Sequence, residues 1–173
     1  MANVDHPHGL AVIGTMHGGP LLILQMQKDA SEDEALFRND VVIQETDSFI
    51  KVAATPGTDL FAGVNLDYGA ADTLTDHTIV VDPSAIFDVQ DNGDGSGIVE
   101  ADIGLNCNLA FGAGSAVTKL SGHEVDGSEK ATTGTLDVHI IRKIPAQNND
   151  YGQFVRLEVQ LNRHRRAPNT AGV

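Results

Sequence analysis

The sequence has little of what stabilises or anchors many small proteins. It contains one cysteine and no tryptophan among 173 residues. A single cysteine excludes an intrachain disulfide framework and a multi-cysteine zinc site. Aromatic residues make up 5% of the chain, which argues against a carbohydrate-binding module, because such modules stack sugars on clustered rings. Apolar runs are only a few residues long, whereas a membrane-spanning helix needs roughly 20 apolar residues, so we expect no membrane partner.

Basic residues are also scarce, and they are unevenly placed. Lys and Arg total 11 against 24 Asp and Glu, which gives a formal net charge of -13 at pH 7. An acidic surface of this kind repels nucleic-acid backbones, so we expect no nucleic-acid partner. Five basic and 22 acidic residues precede Ile141, whereas six basic and two acidic residues lie from there onward. This asymmetry favours either a basic tail that docks on an acidic surface or a solvated, frayed terminus.

The hydrophobic pattern is mainly that of short β-strands separated by turn residues. The clearest strand lies within residues 153–162, where alternate residues are apolar and share one face. Residues 105–111 alternate in the same way, and residues 135–144 are a second long strand candidate. Two short helices are candidates. One is residues 30–37, where Ser31 and Glu34 match a capping box, although its length and acidity fit a loop equally well. The other is a single turn around residues 99–105. The sequence therefore predicts a mainly β fold, a small antiparallel β-barrel or β-tulip-like domain with one or two short helices.

The same pattern divides the chain into three parts. We predict an extended N-terminal arm of residues 1–19, a β domain of residues 20–162 and a basic C-terminal tail of residues 163–173. Residues 1–10 hold too few apolar groups to offset the entropy of ordering them. We therefore expect these ten residues to be disordered in the free protein.

Motifs for catalysis or metal binding fail on their spacing. Residues 90–100 look like a calcium loop, but the alignment puts neutral Gln90 at position one and Ala101, which cannot ligate, at position twelve. The seven histidines form neither an HExxH helix nor a Cys/His pair. The glycine-rich residues 112–116 lack the G-x-S-x-G spacing of a nucleophile elbow. We therefore expect no catalytic residue, no metal and no cofactor, so the protein is not expected to be an enzyme.

Several segments, one at the N-terminus and five in the C-terminal half of the chain, together form a further pattern. They are MANVDHPHGL at 1–10, ADIGLN at 101–106, GAGSAVT at 112–118, SGHEVDGSEKATTGTL at 121–136, NRHRR at 162–166 and TAGV at 170–173. In this order, the segments resemble small structural proteins encoded beside the major capsid gene of tailed bacteriophages, the head decoration or cement proteins. The resemblance covers residues 1–10 and most of residues 86–173, and residues 23–85 do not share it.

The resemblance implies a non-enzymatic virion protein on the outer surface of the capsid. Its partner would be the major capsid protein, whose neighbouring capsomers it clamps, commonly as a homotrimer. The arm would add a strand to capsid protein sheets. The candidate arm contacts are Asn3, Val4, Asp5, His6, Pro7, Gly9 and Leu10. The candidate electrostatic contacts to the capsid or to another protomer are Arg156, Arg163, Arg165 and Arg166. The alternatives are a tail- or fibre-associated β module of the virion and a small β binding domain.

Overall fold

Short strands dominate the computed structural model, which describes residues 3–95, 97–167 and 172. Strands account for 44% of the structure and helix for 2%, so the predicted mainly β class is confirmed. The strands are β1 (Ala11–Thr15), β2 (Ile23–Lys28), β3 (Val41–Gln44), β4 (Ile50–Val52), β5 (Phe61–Asn65), β6 (Thr75–Val80), β7 (Ala85–Gln90), β8 (Asn106–Gly112), β9 (Gly122–Ala131), β10 (Val138–Lys143) and β11 (Arg156–Leu161). A short 3-10 helix, Glu100–Asp102, precedes β8.

The strands form two sheets. Five of them close into the expected barrel, in the order β2-β4-β3-β5-β6. The other six form a separate sheet, which the sequence did not predict, in the order β1-β7-β11-β10-β8-β9. Paired strands are antiparallel, apart from one parallel bridge between Lys28 of β2 and Ile50 of β4. β1 and β9 are the two edges of the six-stranded sheet.

A large hydrophobic core joins the two sheets. It combines Phe61 of the barrel with Phe87 and Leu157 of the six-stranded sheet, all of them at most 1% exposed. The predicted alternation of β11 is confirmed, because the apolar face of residues 155–161 lies in this core. Cys107 is also buried there, and its burial raises the pKa of the thiol, as fits a small hydrophobic side chain. Full burial of a large apolar side chain such as Phe87 or Leu157 contributes roughly 1.5–3 kcal/mol to the free energy of unfolding.

Residues 30–37 form a loop, so of the two alternatives for this segment the short helix is wrong. Lys28 is 1% exposed, and its Nζ donates to the carbonyls of Asp29 and Glu32 at 3.3 and 2.9 Å. Leu36 bridges to Gly69 instead of continuing a helical turn. These tertiary contacts hold the segment as a loop, whereas the 3-10 helix does fall within the other candidate, residues 99–105. Neither this helix nor any other part of the described chain forms a helix long and apolar enough to span a membrane.

The folded β domain, called the body below, begins and ends at other residues than the sequence predicted. Residues 11–15 of the predicted arm are strand β1, which pairs with β7 because its apolar residues complete that sheet. At the other end, His164 is 1% exposed and forms a parallel bridge with Phe61. The body therefore begins at Leu10, which is fully buried, and extends past the first residues of the predicted tail.

Candidate functional site

Residues 3–10, called the docked segment below, lie extended against the body. Gln90, the last residue of β7, is 2% exposed and contacts the main chain of the segment. Its Oε1 accepts the amide of His6 at 2.8 Å, and its Nε2 donates to the carbonyl of Val4 at 2.7 Å. The same Nε2 donates to the carbonyl of Phe154 at 3.1 Å. One buried side-chain amide therefore bonds the segment much as a neighbouring strand would.

Both ends of the docked segment are fixed as well. The side chain of Asn3 donates to the carbonyl of Asp150 at 2.7 Å and accepts the amide of that residue at 3.0 Å. At the other end, the amide of Leu10 donates to the carbonyl of Asn39 at 3.0 Å. The disorder expected for residues 1–10 is therefore corrected for residues 3–10. Side-chain amides far away in the sequence supply the contacts that the segment itself lacks.

A small charge network lies beneath the segment. His8 Nε2 is 3.5 Å from Asp88 Oδ1, and Arg156 Nε donates to the same oxygen at 3.2 Å. Burial, the largest single influence, would lower the pKa of His8, but Asp88 and the carbonyl of His6 together raise it above its usual value of 6.5. Burial would likewise raise the pKa of Asp88, yet His8 and Arg156 hold that pKa below its usual range. The network therefore favours a protonated His8 in the docked state.

The carboxylate of Glu124 also favours docking at lower pH. The pKa of Glu124 is raised to about 7, first by burial and then by the negative charges of Asp5 and Asp91. As the pH rises through this pKa, Glu124 becomes charged and repels Asp5 of the docked segment. Docking is therefore favoured when Glu124 is neutral.

We expect the docked segment to be held more tightly at pH 6 than at pH 8. A histidine whose pKa is raised by folding stabilises the folded state fully below its unfolded pKa of 6.5, and this contribution is lost as the pH rises through the raised pKa. An NMR titration of the His8 ring should give a pKa above 6.5, and Asp88→Asn should lower it. An unchanged His8 pKa in that variant would contradict the ion pair.

Apart from Asn3, which is half-buried, the candidate arm residues divide into an exposed group and a buried group. Val4 is 76% exposed, and Asp5, His6 and Pro7 are exposed beside it. Gly9 and Leu10 are buried. The exposed residues remain accessible to solvent, whereas the buried ones anchor the segment to the body.

The four basic candidates do not form one cluster. Arg156 begins β11 beside the docked segment, whereas the other three lie beyond the opposite end of that strand. Arg163 is folded onto the body, where its Nη2 donates to the carbonyl of Thr58 at 2.6 Å. Only Arg165 and Arg166 of the C-terminal three are exposed. Residues 168–171 and 173 of the predicted tail lie outside the described residues.

The glycine-rich loop uses its acidic groups internally. Asp91, which is fully buried, accepts the amides of Gly93 and Phe154 at 3.1 Å each. Burial, only partly offset by these bonds, raises the pKa of Asp91 to about 6. Within residues 3–95, 97–167 and 172, no group of three or more His, Cys, Asp or Glu could hold a metal ion. The absence of calcium binding stays a prediction.

Sequence reasoning missed the residues that receive the segment, above all Gln90 and Asp88. The only available signal was their position at the polar end of an apolar strand, β7. No family model, no curated protein and no solved structure matches the chain. The proposal below therefore rests on the geometry of the docked segment and on the sequence resemblance.

Proposed function

We propose that the protein is a capsid decoration protein that binds the outer surface of a tailed-bacteriophage head and clamps neighbouring capsomers. One observation carries the proposal. An extended N-terminal segment lies on the outside of an acidic β body, and its central residues 4–7 are exposed. An exposed extended segment of this kind is suited to binding the sheet of another protein.

The docked segment is suited to exchanging its contacts with the body for contacts with a capsid protein. Its main chain is held at His6 and Val4 by one side chain, that of Gln90. An exposed strand edge of a capsid protein offers the same donors and acceptors in larger number. Leu10 would stay in the core, so the exchange would turn about Gly9, whose φ of +69° already lies in the left-handed region.

The charge of the body supports a position outside the shell. With a net charge of -13, the protein would be repelled by packaged nucleic acid on the inside. On the outer face, its acidic groups are solvated by water. The exposed Arg165 and Arg166 are available to contact an acidic neighbour. The proposed partners are therefore the major capsid protein and further copies of this chain.

We expect the protein to be a homotrimer. Three segments on one rigid body would bind three capsid subunits, and after the first has bound, the others bind at a high effective concentration. Light scattering coupled to size exclusion should give three times the chain mass of 18.3 kDa. A monomer, both free and after release from shells, would remove the trimer and the avidity argument together.

Deleting residues 1–8 should leave a folded protein that decorates heads at least about tenfold more weakly, since the main-chain contacts of the segment are lost. Occupancy is measured by cosedimentation with heads that lack their decoration protein. The matched control is Val117→Ala, because Val117 is 91% exposed and lies outside the segment. Unchanged occupancy of the truncated protein would contradict the arm's role.

A further inference from the structure

One edge of the barrel lacks a neighbouring strand along most of its length. β2 pairs with β6 at every residue from Ile23 to Lys28, but it meets β4 only at Lys28. β4 begins at Ile50, opposite Lys28, and runs parallel to β2. It therefore extends beyond the end of β2 and leaves residues 23–27 unpaired on that side, as far as the described chain shows.

The main-chain groups on this open edge follow from the register. The amide of Val81 donates to the carbonyl of Leu22 at 3.0 Å, and hydrogen-bonded pairs alternate along an antiparallel ladder. Leu24 thus bonds towards β6, whereas Ile23 and Gln25 direct their N–H and C=O groups away from it. Such an edge is a template for a further strand.

A cleft of about 560 Å³ lies beside the open edge. Leu24, Met26, Ala62 and Val81 line it. Ala62 and Val81 belong to a buried hydrophobic cluster of the barrel, and Met26 packs against that cluster. The cleft therefore reaches apolar residues of the barrel beside the part of β2 that β4 does not cover. Leu24 is 38% exposed there, and Ile23 beside it is 42% exposed. A strand added along residues 23–27 of β2 would cover the cleft and bury this apolar surface.

Two adjacent arginines mark the rim of the cleft. Arg165 and Arg166 both line it and are exposed, and no acidic residue is among the described lining residues. Arg165 is positioned by Gln44, whose Oε1 accepts from Nη1 at 2.9 Å. For the guanidinium of Arg166, no hydrogen bond or ion pair is found within the described chain. On a protein with a net charge of -13, this basic rim selects an acidic ligand.

We propose that the open edge of β2 binds an extended peptide segment of another protein, in which apolar and acidic residues alternate. Side chains of a strand point alternately to opposite faces, so the apolar ones would fill the cleft and the acidic ones would meet Arg165 and Arg166. Hydrogen bonds with the main chain of Ile23 and Gln25 supply affinity. Pairing of two copies through β2 is disfavoured, because it would bring their arginine pairs together.

This site lies on the barrel, whereas the docked segment lies on the six-stranded sheet. The inference therefore goes beyond the proposed function, and it stands whether or not the protein decorates capsids. The partner is defined by its chemistry alone, as an alternating apolar and acidic strand.

The test uses two labelled octapeptides, one of alternating valine and glutamate and one of alternating valine and lysine. The glutamate peptide should bind the full chain in fluorescence anisotropy, and the lysine peptide should bind at least about tenfold more weakly. In NMR spectra, the glutamate peptide should shift the amides of Ile23 and Gln25 and slow their exchange with solvent. Equal affinities, shifts confined to other strands or no binding at millimolar peptide would overturn the proposal.

Variants separate the charge contacts from the main-chain contacts. Arg166→Glu should weaken binding of the glutamate peptide about tenfold, whereas Arg38→Glu, the same charge change at another exposed arginine, should not. Gln25→Pro should abolish binding, because proline removes the outward amide while an edge strand tolerates it. Equal effects of Arg166→Glu and Arg38→Glu would contradict the role of the basic rim in binding the acidic peptide. Concentration-dependent shifts at Ile23 without peptide would instead assign the edge to a second copy.

Discussion

Replacing Leu10 with alanine should lower the free energy of unfolding by about 2–5 kcal/mol. Leu10 is fully buried, and it packs into the core that joins the barrel to the six-stranded sheet. The truncation removes apolar contacts and leaves a cavity between two sheets that cannot collapse freely. Chemical denaturation followed by circular dichroism measures the loss.

Val4→Ala is the matched control for Leu10→Ala. Val4 lies in the same segment but is 76% exposed, so its stability should change by no more than about 0.5 kcal/mol. Under the proposed function, Val4→Ala should weaken binding to heads while the fold is unaffected. Equal losses of stability at the two positions would show that Leu10 does not anchor the segment.

Gly9→Ala should be the second strongly destabilising change, with a loss of about 2–5 kcal/mol. Gly9 has a φ of +69°, and a Cβ there would lie 2.4 Å from Ser121 Cβ and 2.6 Å from the carbonyl oxygen of Asn39. The left-handed backbone and the crowding both oppose a side chain. Thermal or chemical unfolding of the purified variant gives the magnitude.

Two other glycines separate these two causes. Gly18 has a φ of +65° with open space around the position of a Cβ, so Gly18→Ala should cost only about 1–2 kcal/mol. Gly14 has open space and no left-handed φ, so Gly14→Ala should cost least of the three. A loss at Gly18 as large as that at Gly9 would contradict the crowding against Ser121 and Asn39.

Local patterns were sufficient to predict β8, β10 and β11, but they did not predict β9, which contributes the fully buried Val125 to the core. The alternation of residues 153–162 placed Leu157 and Val159 inside, and both are fully buried. The helix at residues 30–37 failed because its capping pattern was local, whereas its structure is set by the buried amine of Lys28. Periodicity could not show that the strands would divide between a barrel and a second sheet, since that division depends on pairing between distant strands.

Of the candidate site, the sequence predicted the N-terminal segment but not the residues that bind it. The N-terminal pattern identified the segment, but Gln90 lies 84 positions from His6 in the sequence. The sequence near residue 90 marks Gln90 only as the polar end of an apolar strand, which does not indicate that it binds a main chain. In the same way, Arg163 and Arg165 look alike in the sequence, and only the fold shows that the carbonyls of Thr58, Asp59 and Thr135 hold Arg163 on the body.

Electron cryomicroscopy of phage heads incubated with the protein tests the central proposal most directly. Under the proposed function, the heads are assembled from the major capsid protein encoded in the same genome as this chain, without any other decoration protein. The predicted result is added density outside the shell at three-fold positions, with the N-terminal segment continuing as a strand into a capsid protein sheet. Bare shells at saturating protein, or density that contacts the capsid without the N-terminal segment, would contradict it.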